Sequence, residues 1–130
     1  MLKVRVFSFS YLNGGIPVDD SGNGGGFVFD CRFITNPGKL DEYKSKTGKD
    51  FDVKFFLETQ TDMPEFLKNV YSIVDKAIEK YVSRDYTNLI VSFGCTGGQH
   101  RSVYAADAMS KRIAEKFPNV LYEINHNNLK

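Results

Sequence analysis

Apolar and polar residues alternate from the second position onward. Leu2, Val4 and Val6 fall on one side and Lys3, Arg5 and Phe7 on the other, which predicts a first strand over 2–9. The same two-residue period returns over 27–33, with Phe27, Phe29, Cys31 and Phe33 on one face and Val28, Asp30 and Arg32 on the other, until Asn36-Pro37-Gly38 ends it. Between the two strands, Asn13-Gly14-Gly15-Ile16-Pro17 and the run from Asp19 to Gly26 favour positive φ and predict a mobile loop. Residues 39–49 are charged and polar, and read as an exposed connection with a helical turn ahead of Gly48.

The period then lengthens. Phe66, Val70, Ile73, Ala77 and Tyr81 recur at helical spacing with Leu67, Val74 and Ile78 beside them, predicting a helix over 64–82. Thr61 or Asp62 can cap it, Pro64 suits its first turn and Glu65 its positive dipole end. After the polar link Arg84-Asp85-Tyr86-Thr87, residues 88–93 form a near-continuous apolar run, as expected of a central strand covered on both faces. A second helix over 100–117 buries Val103, Ala106, Met109 and Ile113 and is closed by Pro118, and a last strand covers 120–124. This alternation predicts a single-domain α/β three-layer sandwich over 1–130, with a parallel or mixed sheet flanked by helices.

Composition and charge narrow the function classes. A hydrophobic fraction of 42% in 130 residues suffices for one core. Seventeen basic and 16 acidic residues give a formal charge of +1, which excludes the broad positive field of a general nucleic-acid binder and leaves room only for a local basic patch. No apolar run has the length of a membrane span, and the first strand begins at once without a secretory pattern, so the cytoplasm is the expected compartment. Cys31 and Cys95 follow no metal-ligand spacing and are expected to stay reduced; no metal or cofactor is called for, and self-association is left open.

The chemistry concentrates at one strand-to-helix turn. Cys95, Thr96, Gly97, Gly98, Gln99, His100, Arg101 and Ser102 follow the apolar run and open the second helix. A helix start carries unpaired N–H groups and a positive dipole end, so a phosphate or carboxylate is stabilised there. Gly97 and Gly98 let the backbone turn tightly and approach a ligand, and Arg101 adds a formal charge. The same residues spell C-x5-R-S, the pattern of the phosphate loop in cysteine-dependent phosphatases. In that alternative Cys95 is the thiolate nucleophile, Arg101 the phosphoryl clamp and Asp62 the candidate general acid. Gly94 stands where such phosphatases carry histidine, and Cys95 equally suits the small apolar end of a buried strand. His100 can either donate to an anion or pack locally, and Arg32 can be either a second anion contact or the partner of Asp30.

The segment Val91-Ser92-Phe93-Gly94-Cys95-Thr96-Gly97-Gly98-Gln99-His100-Arg101-Ser102-Val103-Tyr104 resembles the signature of the RapZ (RNase adapter protein) C-terminal domain family. Phe29-Asp30-Cys31-Arg32-Phe33-Ile34-Thr35-Asn36-Pro37, similar to that family's D-x-R-x-x-x-N-P segment, Thr47-Gly48 and Gly15-Ile16-Pro17 extend the resemblance over nearly the whole chain. It implies a non-catalytic, regulatory domain that senses an amino-sugar phosphate and presents RNA to a ribonuclease. Thr96, Gly97, Gly98, His100 and Arg101 match the metabolite loop, and Asp30, Arg32 and Asn36 match the second segment. Family members usually carry an N-terminal kinase-like domain with a Walker loop; this sequence reads as a stand-alone C-terminal domain, so ATP or GTP binding is not carried over. Gly38 stands where relatives can have histidine, and the ending Asn125-His126-Asn127-Asn128-Leu129-Lys130 lacks the basic tail of some members, which weakens the case for RNA. Arg101, Lys111 and Arg112 are the cations left to test for that partner.

Overall fold

The computed structural model describes residues 1–129. Strands β1 (Lys3–Ser10), β2 (Phe27–Asp30), β3 (Asn88–Cys95) and β4 (Leu121–His126) form one sheet in the order β2-β3-β1-β4, parallel throughout. Helices α1 (Phe51–Gln60), α2 (Met63–Ser83) and α3 (Arg101–Lys116) supply the rest, with two single-turn 3₁₀ segments at Pro37–Lys39 and Asp41–Tyr43. The fold is α/β, as the alternation of periods predicts, and the parallel option is the one realised.

The chain steps the same way across the sheet from β2 to β3 and from β3 to β4, and right-handed crossovers then place all three helices on one face. The core agrees: Val4 and Val6 of β1 and Val91 and Phe93 of β3 pack with Leu57 of α1, Val70, Val74 and Ile78 of α2 and Met109 and Ile113 of α3. The opposite face is covered by loop 11–26, so the third layer is irregular chain rather than helix. Asp19 anchors that loop, taking the Arg5 guanidinium at 3.0 Å and the amides of Ser21 and Gly25 at 2.8 and 2.9 Å. The positive φ of Gly14, Gly15, Gly22, Gly24 and Gly25 is what its composition predicts.

Two details differ from the sequence reading, and at the start of α2 one of two open alternatives is realised. Strand β2 ends at Asp30 rather than 33, because the Asp30 carboxylate accepts the Arg32 amide at 2.9 Å and turns the chain. Helix α1 was not read, since apolar Phe51, Val53, Phe55, Phe56 and Leu57 surround its axis and only Val53 and Leu57 are buried. At the start of α2 the capping oxygen belongs to Thr61, whose Oγ1 accepts the Met63 amide at 3.1 Å, while the Asp62 side chain caps nothing. Among the described residues, no helix is long and apolar enough to cross a membrane.

Candidate functional site

The sheet's topology selects the site. The chain leaves β1 over the loop face toward β2, and leaves β3 over the helix face toward β4, so the connections diverge between adjacent β1 and β3. A crevice at the carboxyl ends of the strands where connections diverge is where open parallel sheets bind ligands. Loop 96–100, the first turn of α3 and the end of β1 meet there.

Within the loop, inward and outward residues have separate tasks. Thr96 and Gly97 are exposed. Gly98, at φ +67°, is pressed against Asn128 and the Ser10 backbone, where a Cβ would sit 2.9 Å from the Ser10 nitrogen. Gln99 Nε2 donates to the carbonyls of Lys44 and Lys46 at 2.9 and 2.6 Å, and the Gly48 amide donates to the Gln99 carbonyl at 3.0 Å. His100 is buried; its Nε2 lies 2.8 Å from the Tyr43 carbonyl and is therefore the protonated ring nitrogen, donating inward. Both side chains clamp segment 43–48 over the start of α3, and of the two readings of His100 the local packing is the one observed. Ser102 is fully buried and accepts the Cys95 thiol at 3.1 Å.

Arg101 is only 4% exposed. Its Nη1 donates to the carbonyls of Arg32 and Ile34 at 2.9 and 2.8 Å, so half of the guanidinium clips segment 30–36 to the loop. The other edge, Nε and Nη2, is the fork that grips oxyanions side-on. Nε is buried without an acceptor among the described residues, and Nη2 reaches only Thr96 Oγ1, at 3.5 Å. Around it, none of the backbone amides of Gly97, Gly98, Gln99, His100, Arg101 and Ser102 donates to another described residue. A buried donor such as Arg101 Nε is ordinarily paired, and the first amides of a helix, which have no intrahelical partner, are open to an acceptor from outside. A run of six free amides beside a half-engaged guanidinium is a cluster of donors without an acceptor.

Segment 30–36 forms the facing lip. Asp30 and Arg32 make a two-toothed ion pair with the shortest contact at 2.7 Å, and the Arg32 guanidinium lies 3.8 Å from the centre of the Tyr11 ring. Arg32 hydrogen bonding holds the Asp30 carboxyl below the usual carboxylate range. Arg32 is thus paired with Asp30, the blander of its two readings. Asn36 turns inward, its Oδ1 accepting the Gly38 amide at 2.8 Å, and Gly38 packs against the His100 ring.

The two thiols sit beneath this surface. Cys31 is fully buried and Cys95 is 2% exposed; burial pushes the Cys31 thiol well above its ordinary range. Asp62 is exposed at the start of α2, on a groove with Phe33 and Phe66 that none of residues 95–102 lines.

Some site residues escaped the sequence reading. Ser10 Oγ donates to the Thr96 carbonyl at 2.6 Å and accepts the Asn13 amide at 3.0 Å. Asn128 Oδ1 accepts the Ser10 amide at 2.9 Å and its Nδ2 donates to the Asn13 carbonyl at 2.8 Å. Below them His126 bridges Ser8 Oγ at 2.6 Å and Asp107 at 2.9 Å, with Lys49 on the other Asp107 oxygen at 2.9 Å. The available signal was Ser8 and Ser10 in the inward phase of β1, where a strand otherwise apolar on that face turns polar at its carboxyl end.

Fold and site together define a parallel α/β domain with a donor-rich loop at the sheet's switch point. Residues 2–130 match the family model described as the RapZ C-terminal domain, and the chain belongs to that family. It is 38% identical over 120 residues to a "nucleotide-binding protein" of Fervidobacterium nodosum, covering 92% of this chain and 40% of the relative. It is 37% identical over 123 residues to a protein of the same name from Ruminiclostridium cellulolyticum, covering 95% and 40%. A Bifidobacterium adolescentis protein, also so named, is 39% identical over 112 residues, covering 86% and 34%. The chain therefore spans about two fifths of the length of the first of these relatives, at its 40% coverage.

Proposed function

We propose that this chain is a non-catalytic regulatory domain that binds a phosphorylated metabolite of the amino-sugar phosphate type at Cys95–Ser102, with Asp30, Arg32 and Asn36 on the facing lip. The observation that carries the reading is the set of amides from Gly97 to Ser102, without acceptors among the described residues, around the Arg101 edge whose Nε has no acceptor there and whose Nη2 reaches only Thr96 Oγ1. A phosphate group supplies the oxyanion acceptors those donors lack. The Asp30–Arg32 pair on the lip suits the ammonium and hydroxyl groups of an amino sugar. The relatives' printed name fits a phosphate-bearing ligand too, but it belongs to proteins of which this chain matches two fifths.

The phosphatase alternative asks more of the site than its geometry offers. A nucleophilic cysteine must reach phosphorus, and Cys95 is 2% exposed and directed at Ser102. A general acid must reach the leaving group, and Asp62 opens on another groove. RNA would be held by free cations; Arg101 is buried, Arg112 and Lys116 grip Asp75, Lys44, Lys46 and Lys49 pair with Asp41, Asp52 and Asp107, and of Arg101, Lys111 and Arg112 only Lys111 is exposed without an ion pair among the described residues.

Calorimetric titration with glucosamine 6-phosphate, glucosamine and a nucleoside triphosphate separates these readings. The proposal expects saturable binding of the sugar phosphate, none of the unphosphorylated sugar, and unchanged binding in Cys95→Ser. Absence of binding by every phosphate compound overturns it, as does aryl-phosphate turnover that Cys95→Ser abolishes.

A further inference from the structure

A second surface lies along the outer edge of β2. Strand β2 is an edge strand, and its Cys31 end bonds to β3 through the Cys31 amide and Gly94 carbonyl at 2.8 Å. By alternation the backbone groups of Val28 and Asp30 face outward, and among the described residues nothing pairs with them. Beside this edge, Phe29, Phe33, Phe66 and Ile73 line an open groove of about 460 Å³ between β2 and α2. Phe33 is 65% and Ile73 49% exposed, and the Phe33 and Phe66 rings stack edge to face at 5.6 Å. Among the described residues, Asp62 and Glu65 are the charged ones lining it.

We propose that this groove docks an extended segment of a basic partner protein, added as a strand to the outer edge of β2. On the strand face turned toward α2, apolar side chains would enter the aromatic trough, and a Lys or Arg at the next position on that same face would meet Asp62 and Glu65. Three features select this occupant. Unpaired edge groups are satisfied by an extended chain, whereas a helix brings no free backbone donors. Alternate side chains of such a strand fall on one face, the one toward the trough. The acidic rim attracts cations, repels nucleic acid, and in a two-fold contact with a second copy of this chain would set carboxylates against carboxylates.

The test uses labelled eight-residue peptides in fluorescence anisotropy: one with threonine at every second position and valine and lysine in turn at the positions between, so that both face the trough, one with glutamate in place of its lysines, and the lysine peptide with its alternate amides N-methylated. Saturable binding of the lysine peptide is expected, with the other two weaker by about ten-fold or more. Phe33→Ser and the pair Asp62→Asn with Glu65→Gln should each weaken the lysine peptide by about ten-fold, with the chain still folded in a cooperative thermal melt. Equal affinity for the lysine and glutamate peptides overturns the proposal, as does binding indifferent to N-methylation or to Phe33→Ser. A dimer that Phe33→Ser dissociates overturns it in favour of a second copy. None of these outcomes depends on the anion loop.

Discussion

Two glycine-rich loops of this chain, 11–26 on one face of the sheet and 96–100 at its carboxyl end, are built from the same parts and end in opposite states. The first bends at five glycines of positive φ and the second at one, Gly98, and each lies against a guanidinium whose Nε is buried without an acceptor among the described residues. In the first loop Asp19 sits at the centre, taking two amides, the Ser21 hydroxyl and Arg5, while Asp20 takes the other Arg5 nitrogen. That loop carries its own anion. The second has none: Arg101 turns one nitrogen to two carbonyls, and the amides around its free edge bond to nothing described. In this chain glycine content does not distinguish the two loops, whereas the presence of an internal carboxylate in the first and its absence from the second does.

The comparison can be broken most severely at Arg101. Arg101→Ala removes the donors to the Arg32 and Ile34 carbonyls from a buried position, and should cost about 3 kcal/mol in urea unfolding along with all anion binding. Gly98→Ala tests the loop's shape: with φ at +67° and Asn128 and Ser10 in the way, about 2 kcal/mol of stability should be lost, read the same way. Giving the second loop what the first possesses sharpens the contrast. Gly97→Asp, at an exposed position with open space around it, should abolish phosphate binding in calorimetry while stability changes by less than about 1 kcal/mol.

The smallest expected effect concerns acid. Bonds from the Ser21 amide first, then the Ser21 hydroxyl and Gly25 amide, hold the Asp19 carboxyl down to about 2. A carboxyl whose folded value lies below its unfolded value, about 3.9, stabilises the fold above that pH. The contribution fades as pH falls from about 4 toward 2, so Asp19→Asn should flatten stability in that window, seen in urea midpoints measured across it.

How much of this was legible depends on the range of the interaction. Strands β1 and β3 and helices α2 and α3 follow from periodicity, because a face buried along a whole element repeats in the sequence. Helix α1 does not, because Phe51 and Phe55 stay exposed while Val53 and Leu57 are buried, blurring the stripe. At the site, the loop was visible as a strand-glycine-helix junction, whereas the pairing of β2 with β3, which brings segment 30–36 against Arg101, was not, because no local pattern specifies which strands lie side by side. The division of labour within the loop was hidden. Gln99 and His100 face inward because segment 43–48, more than fifty residues earlier, offers three carbonyls there, and no local pattern announces that.

The central claim is that the donors of loop 96–100 wait for an anion from outside. Titrating inorganic phosphate and glucosamine 6-phosphate into the wild-type chain and into Gly97→Asp, followed by amide NMR, tests it most directly. The account expects saturable shifts of the Gly97 to Ser102 amides in the wild type and none in the variant. Shifts elsewhere with those amides unmoved, or equal binding by both proteins, would contradict it.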